Sequence, residues 1–211
     1  KLALYSRQLM QEIRNQTQID YNATTTGILK IYHNQKEMDE GITNAALLRQ
    51  LNCNNKVLSQ QSCFALEPAL EQNGGRIVGG IHTPDDEIGD AHIFTRKMAQ
   101  TVANNGVKFC YNQTIKRLKS EGRKISSVET NIKEYKADAF VVSLGSYSTL
   151  LLKPLGIKLP IYPTKGYSVT IPTSSTNNAP NVSITDENNK IVYSRLGNRL
   201  RVAGTAEFSG Y

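Results

Sequence analysis

Ala137–Ser148, ADAFVVSLGSYS, constrains this chain more than any other stretch. An acidic residue and an apolar run of small and β-branched residues end abruptly at Gly145-Ser146. A run bounded in this way predicts a buried strand of a parallel sheet over Ala139–Leu144. In open α/β sheets ligands sit beyond the carboxyl ends of such strands. A glycine at that point lets backbone come close to a bound group, having no Cβ. A second marked segment, Tyr162-Pro163-Thr164-Lys165-Gly166-Tyr167, follows shortly. Together the two suggest a nucleotide-cofactor enzyme, although no glycine fingerprint of a dinucleotide turn accompanies them.

The helical signals are local. Leu2, Tyr5, Leu9 and Ile13 share one helical face in a first segment that begins without a cap. Asn34, Ser59 and Asp90 are placed to cap three further helices. The inner stripe of the first of these is expected to be Met38, Ile42, Ala45 and Leu48. That of the Asp90-capped helix is expected to be Ile93, Phe94, Met98, Thr101 and Val102. Strands are expected over Asp20–Tyr32, at Val57-Leu58, and over Arg76–His82, where Gly79-Gly80 marks a bulge or a close backbone approach. Val107–Tyr111 reads as another strand, and a hairpin turns at Glu121-Gly122. Tyr167–Ile171, Lys190–Ser194 and Arg199–Ala203 read as strands, with a polar loop over Thr173–Asn178. The sum is a mixed α/β (α+β) chain. Residues 89–150 have α/β character, while 19–82 and 151–211 suggest an antiparallel sheet built from two separated segments.

Each candidate constellation has a plainer alternative. Ser143-Leu144-Gly145-Ser146-Tyr147 suits a cofactor lining, but also any tight strand-to-helix turn. Pro84–Asp90 carries paired carboxylates, yet no further ligand stands at metal spacing, and a solvated acidic turn before a capped helix accounts for it. Lys165-Gly166-Tyr167 suits either a flavin or substrate carboxylate approach or a simple strand start. Arg199 and Arg201 share a strand face and could fork a carboxylate, or line a wet sheet face. His33, His82 and His92 form no cluster, and no catalytic triad or phosphate loop appears. No catalytic side chain and no metal ligand is nominated; that fits chemistry carried by a cofactor.

The bulk numbers fit a piece of something larger. Hydrophobic residues make up 39% with no tryptophan, thin for a chain of 211 residues that must bury a large core. The net charge of +7 raises a basic, nucleic-acid- or membrane-binding module as an alternative, but the basic residues are scattered. Cys53, Cys63 and Cys110, an odd set without metal spacing, suit a reduced cytosolic compartment.

Five segments in order carry a family resemblance: Gly79–Asp90 (GGIHTPDDEIGD), Val107-Lys108-Phe109, Leu144–Ser148 (LGSYS), Tyr162–Ser168 (YPTKGYS) and Arg199–Glu207 (RLRVAGTAE). They resemble the FAD-dependent D-amino acid dehydrogenase small subunits of bacteria, within the glycine oxidase and D-amino acid oxidase superfamily. The resemblance covers almost the whole chain. It implies part of a Rossmann-like FAD-binding domain (1–18 and 89–150) interwoven with part of an antiparallel-sheet substrate domain (19–88 and 151–211). It implies oxidation of D-amino acids, typically D-alanine, by hydride transfer to FAD, with water then giving a 2-oxo acid and ammonia. A sarcosine- or glycine-oxidase-like amine oxidase is the nearest alternative within the class.

Position by position, the resemblance puts Thr114-Ile115 on the adenine side of FAD and Leu144-Gly145-Ser146 near its pyrophosphate. Lys165-Gly166 lies near the flavin, and Tyr167, Arg199 and Arg201 are candidates for the substrate. A respiratory electron acceptor is implied, along with a second subunit and a cytoplasmic location on the inner face of the bacterial inner membrane; no nucleic-acid partner is expected. The family's G-x-G-x-x-G turn and its C-terminal glycine-rich loop do not occur in these residues. The chain is therefore expected to be an internal fragment that alone binds FAD weakly or not at all and is inactive.

Overall fold

The computed structural model describes residues 1–72, 76–173 and 179–211. Most of the polar loop expected over Thr173–Asn178 lies outside the described residues. The chain forms two compact units: Lys1–Asn105 with Gly166–Thr205, and Gly106–Lys165 with Ala206–Tyr211.

The larger unit is built on a seven-stranded mixed sheet. Its strands are β1 (Ile28–Tyr32), β2 (Lys56–Ser59), β3 (Gly79–Thr83), β7 (Lys165–Pro172), β8 (Ser183–Asp186), β9 (Ile191–Leu196) and β10 (Arg199–Glu207). They lie in the order β2-β3-β1-β8-β9-β10-β7. The two chain segments meet at β1 and β8, which pair in parallel. The neighbouring pairs β1–β3, β2–β3, β8–β9 and β9–β10 are antiparallel. No hairpin links β1 to β8, so no turn forces them to run in opposite directions. The expected two-segment sheet is thus present, with one parallel joint rather than a purely antiparallel ladder.

The side-chain period of two sorts the sheet into faces. Leu29, Ile31 and Ile184 point to one face, where Cys63 of α3 (Gln60–Leu66) joins them in the core. Tyr32 and Ile81 point to the other and pack against Met38 and Ala45 of α2 (Gln35–Gln50). Asn34 caps α2 by accepting from the Glu37 N–H at 2.9 Å. Gly41 lets α2 settle on the sheet, since a Cβ there would meet the Tyr32 hydroxyl at 2.5 Å. Leu48, expected on the inner stripe, is 46% exposed and lines a cavity beside α2 instead of closing against the sheet. The glycine pair in β3 serves close approach: a Cβ on Gly80 would sit 2.8 Å from Cys63 Sγ. Burial pushes the Cys63 thiol up to about 11.

A buried acid joins the two segments of the sheet. Glu67, 1% exposed, follows α3 and precedes α4 (Ala69–Gln72). It accepts from the N–H groups of Asn181 (2.6 Å), Val182 (3.0 Å) and Ala69 (3.2 Å).

Two more helices belong to this unit, α1 (Leu2–Thr17) and α5 (Ala91–Asn104). The apolar stripe of α1 is largely exposed, Leu2 at 81% and Tyr5 at 58%. Polar contacts hold this helix instead. Arg7 pairs with Asp85 and Asp86, and Arg14 with Glu87. The acidic turn is therefore ion-paired to α1 as well as solvated, with the Asp85 and Asp86 side chains still exposed and that of Glu87 largely covered. Burial alone would raise the Glu87 carboxyl; hydrogen bonds from Arg14 and Gln11 outweigh it and hold Glu87 below its ordinary value. The expected stripe of α5 is half-buried, and none of its residues is fully buried. The strand expected from Asp20 shrinks to β1 plus a single bridge between Thr24 and Ile88.

The smaller unit holds a three-stranded antiparallel meander of β4 (Ile115–Glu121), β5 (Lys124–Thr130) and β6 (Glu134–Tyr135). Its hairpin turns at Gly122 with φ +61°, as expected. Helix α6 (Tyr147–Leu152) packs on β4. Two expected strands are not formed here: neither Val107–Tyr111 nor Ala139–Leu144 pairs with another strand among the described residues. Val141 is 88% exposed. A run of apolar residues favours a strand, but only a neighbouring strand supplies the ladder that makes it one.

Candidate functional site

The turn at Leu144-Gly145-Ser146 is closed by Ser148. The Leu144 N–H donates to Ser148 Oγ at 3.1 Å, and the Ser148 N–H donates to the Gly145 carbonyl at 3.1 Å. Ser148 is buried, and the Ser146 carbonyl accepts from the Tyr211 hydroxyl at 2.7 Å. Gly145 adopts φ +56°, and no atom lies within 4 Å of where its Cβ would be. The turn is thus pinned from inside and open outward, a surface that a large group can approach at backbone distance.

In the same unit, Thr114 is fixed on both main-chain sides by Asn131. Its N–H donates to Asn131 Oδ1 at 2.8 Å, and its carbonyl accepts from the Asn131 N–H at 3.0 Å. Ile115 opens β4, is 38% exposed, and stands beside a register shift between Ile115 and Arg117. Such irregularities re-aim side chains at functional edges. Because α6 follows Ser146 and packs on β4, Thr114-Ile115 and Leu144-Gly145-Ser146 belong to one substructure. Lys165 closes this unit's long segment and is exposed.

Gly166, Tyr167, Arg199 and Arg201 belong to the larger unit. Gly166 also has nothing within 4 Å of a built Cβ. The two arginines share a face of β10, and Arg201 Nε lies 3.4 Å from Thr170 Oγ1 on β7. By the period of two, Tyr167 then points to the opposite face of β7. The structure therefore brings Arg199 and Arg201 together and sets Tyr167 apart from them.

The arginines differ in their partners. The Arg199 guanidinium donates to Asp90 Oδ2, and Asp90 also caps α5, with Oδ1 accepting from His92 and Ile93 at 3.0 Å. The Ile93 N–H is the main cause that holds the Asp90 carboxyl below its ordinary value; Arg199 adds to it against burial. Arg201 has no carboxylate partner among the described residues. The sequence pattern identifies Asp90 as a cap but not as the Arg199 partner, because nothing local links residues so far apart in the chain.

The Asp90 carboxyl is lowered in the folded state, so the stability it contributes is complete above its ordinary value near pH 4 and lost as pH falls through the lower folded value. Asp90→Ala should cost about 1–2 kcal/mol at pH 7 through the lost cap and pair. Urea unfolding at pH 7, 5 and 3 should show that deficit closing only below about pH 4. An equal deficit at pH 3 would mean that the carboxylate charge is not what matters.

Among the described residues no group of His, Cys, Asp and Glu could hold a metal ion, and no helix is long and apolar enough to cross a membrane.

Residues 1–211 match the family described as FAD dependent oxidoreductase (DAO). The D-amino acid dehydrogenase of Granulibacter bethesdensis is 43% identical over 211 residues, covering 100% of this chain and 50% of the relative. That of Paramagnetospirillum magneticum is 44% identical with the same coverage. The chain thus spans about half the length of the curated relatives it matches. Among solved structures, glycine oxidase from Geobacillus kaustophilus superposes with a TM-score of 0.85 at 23% identity, covering 98% of this chain and 55% of that one. L-proline dehydrogenase from P. horikoshii gives 0.85 at 17% identity, with coverage of 98% and 55%. These two likenesses concern the fold.

Proposed function

The chain belongs to the DAO family of FAD-dependent oxidoreductases, and on that premise we propose that it is part of an enzyme that oxidises D-amino acids to 2-oxo acids and ammonia. The observation that carries this reading is 43–44% identity along the whole chain to proteins named D-amino acid dehydrogenase. D-Alanine is the proposed substrate, and a respiratory carrier rather than oxygen the proposed electron acceptor. A second subunit and attachment to the inner face of the bacterial inner membrane belong to the same reading.

The residues present fit the cofactor. Open space over the left-handed Gly145 is where a side chain would otherwise intrude, so Leu144-Gly145-Ser146 would hold FAD by its backbone. Asn131 occupies both main-chain groups of Thr114, which leaves Ile115 as the proposed adenine contact. Lys165 and Gly166 are the proposed flavin-side residues. Bound FAD would supply the two-electron oxidation of the substrate amine.

Arg201 is the proposed anchor for the substrate carboxylate, since Arg199 is engaged by Asp90. Arg199 then serves to orient β10, and Tyr167 would line the sheet's other face. The division of labour follows the sequence expectation, residues 1–18 and 89–150 for FAD and 19–88 and 151–211 for substrate. The compact units cut the chain differently: α1 and α5 group with the large sheet, and residues 151–165 and 206–211 group with the smaller unit.

The test is D-alanine-dependent reduction of an artificial dye by the flavin-loaded, full-length gene product. Dye reduction without peroxide is expected, with L-alanine inert. Peroxide formed in air would favour an oxidase of the glycine or sarcosine type, and no turnover of any amino acid would refute the reading.

A further inference from the structure

Helix α5 ends on an Asn-Gly pair: Asn104 is its last residue, Asn105 its cap, and Gly106 follows. Asn105 and Gly106 are both exposed. Asn105 keeps φ −92° and ψ 16°, and its N–H donates to the Val102 carbonyl at 3.1 Å. The peptide group after it holds nothing. Neither the Asn105 carbonyl nor the Gly106 N–H has a hydrogen bond among the described residues. Gly106 sits at φ +93°, and nothing lies within 4 Å of where its Cβ would be. The Asn105 side chain has one tether, Nδ2 donating to the Thr101 carbonyl at 3.0 Å.

This arrangement leaves little to stop a backbone nitrogen from attacking the asparagine before it. Attack needs the Gly106 nitrogen turned towards Asn105 Cγ, which a ψ of 16° does not give. A peptide plane turns by opposite rotations of ψ on one side and φ on the other, leaving the residues beyond in place. The Asn105–Gly106 plane breaks no hydrogen bond in turning, and glycine accepts φ of either sign. Asn104 lacks both freedoms. The nitrogen that would attack it belongs to Asn105, which carries a side chain and is bonded to Val102.

From this free peptide group beside an exposed asparagine amide, we propose that Asn105 is a site of spontaneous deamidation, with water as the co-reactant. The Gly106 nitrogen bonds to Asn105 Cγ and closes a cyclic imide. The Cγ–Nδ2 bond breaks, and the Gly106 proton leaves with Nδ2 as ammonia. Water then adds to either imide carbonyl. Opening at Cγ gives aspartate; opening at the main-chain carbon gives isoaspartate, whose chain runs through Cβ and Cγ. Either product sets a carboxylate among the unpaired carbonyls at the end of α5, where the helix dipole opposes it.

The experiment is tryptic mass mapping of the full-length gene product incubated at mildly alkaline pH. One peptide, Met98–Lys108, holds both Asn104 and Asn105. The other Asn-Gly pair, Asn73-Gly74, lies outside the described residues and falls in the peptide Val57–Arg76. Asn105 should convert at least about tenfold faster than Asn104, with isoaspartate among its products. Gly106→Ala should bring Asn105 down to the Asn104 rate. Should that variant fold poorly, the wild type in urea gives a second reading. Folded Asn105 should convert within about tenfold of the unfolded rate, the retardation that its single exposed tether supplies. Equal rates at the two asparagines, aspartate without isoaspartate, a Gly106→Ala variant as fast as the wild type, or a folded rate lower than that limit would overturn the proposal.

Discussion

Glu67→Ala should destabilise the protein by about 3–5 kcal/mol, the cost of removing a buried acceptor that the N–H groups of Ala69, Asn181 and Val182 share. Few single changes to a folded chain cost this much. The reason lies in what Glu67 joins. Val182 belongs to the main core cluster, and the segment it opens enters β8, the strand that docks in parallel on β1. No turn or hairpin sets that docking. Without the carboxylate, the first residues of the second sheet segment lose their anchor to the end of α3. Glu67→Gln separates hydrogen bonding from packing, since it keeps the volume but turns one acceptor into a donor facing an N–H. It should cost less, about 1–3 kcal/mol. Urea-unfolding midpoints of the full-length gene product measure both. A loss under about 1 kcal/mol for the alanine variant would show that water serves these donors equally well.

The same residue shows where the sequence is legible and where it is not. Helix starts depend on a side chain and the N–H groups two or three residues on, so Asn34, Ser59 and Asp90 declare themselves as caps. The hairpin at Gly122 and the close approach at Gly79-Gly80 are also read from a few adjacent residues. Glu67, by contrast, looks like any acid before a proline; its partners stand 114 and 115 residues away. The Asp90–Arg199 pair hides in the same manner, spanning 109 residues. At Ala139–Leu144 the failure runs the other way. The residues suit a buried strand, yet strand formation needs neighbours, and none of the described residues pairs there. What does form is the local part of the feature: the glycine turn and the helix after it, closed by Ser148.

That turn gives the sharpest test of the cofactor reading, because this chain contains its own control. Gly145 and Gly156 both adopt left-handed conformations, φ +56° and +76°, and neither has an atom within 4 Å of a built Cβ. Alanine at either position carries the same backbone strain, about 1–2 kcal/mol, and meets no clash within the chain. The proposal distinguishes them. At Gly145 the added methyl enters the space assigned to FAD, where overpacking by about 1–3 kcal/mol corresponds to about a 5- to 150-fold loss of affinity. At Gly156, which closes the helical turn Lys153–Leu155 beyond α6, the methyl meets nothing and flavin affinity should not change. Titration of the full-length apoprotein with FAD, followed by flavin fluorescence, reads both variants, and thermal unfolding without FAD confirms that their strain is equal. If Gly145→Ala binds FAD as the Gly156→Ala variant does, the open backbone at Gly145 is a turn and nothing more. If only Gly145→Ala loses the flavin, the empty space over that glycine is where the cofactor lies.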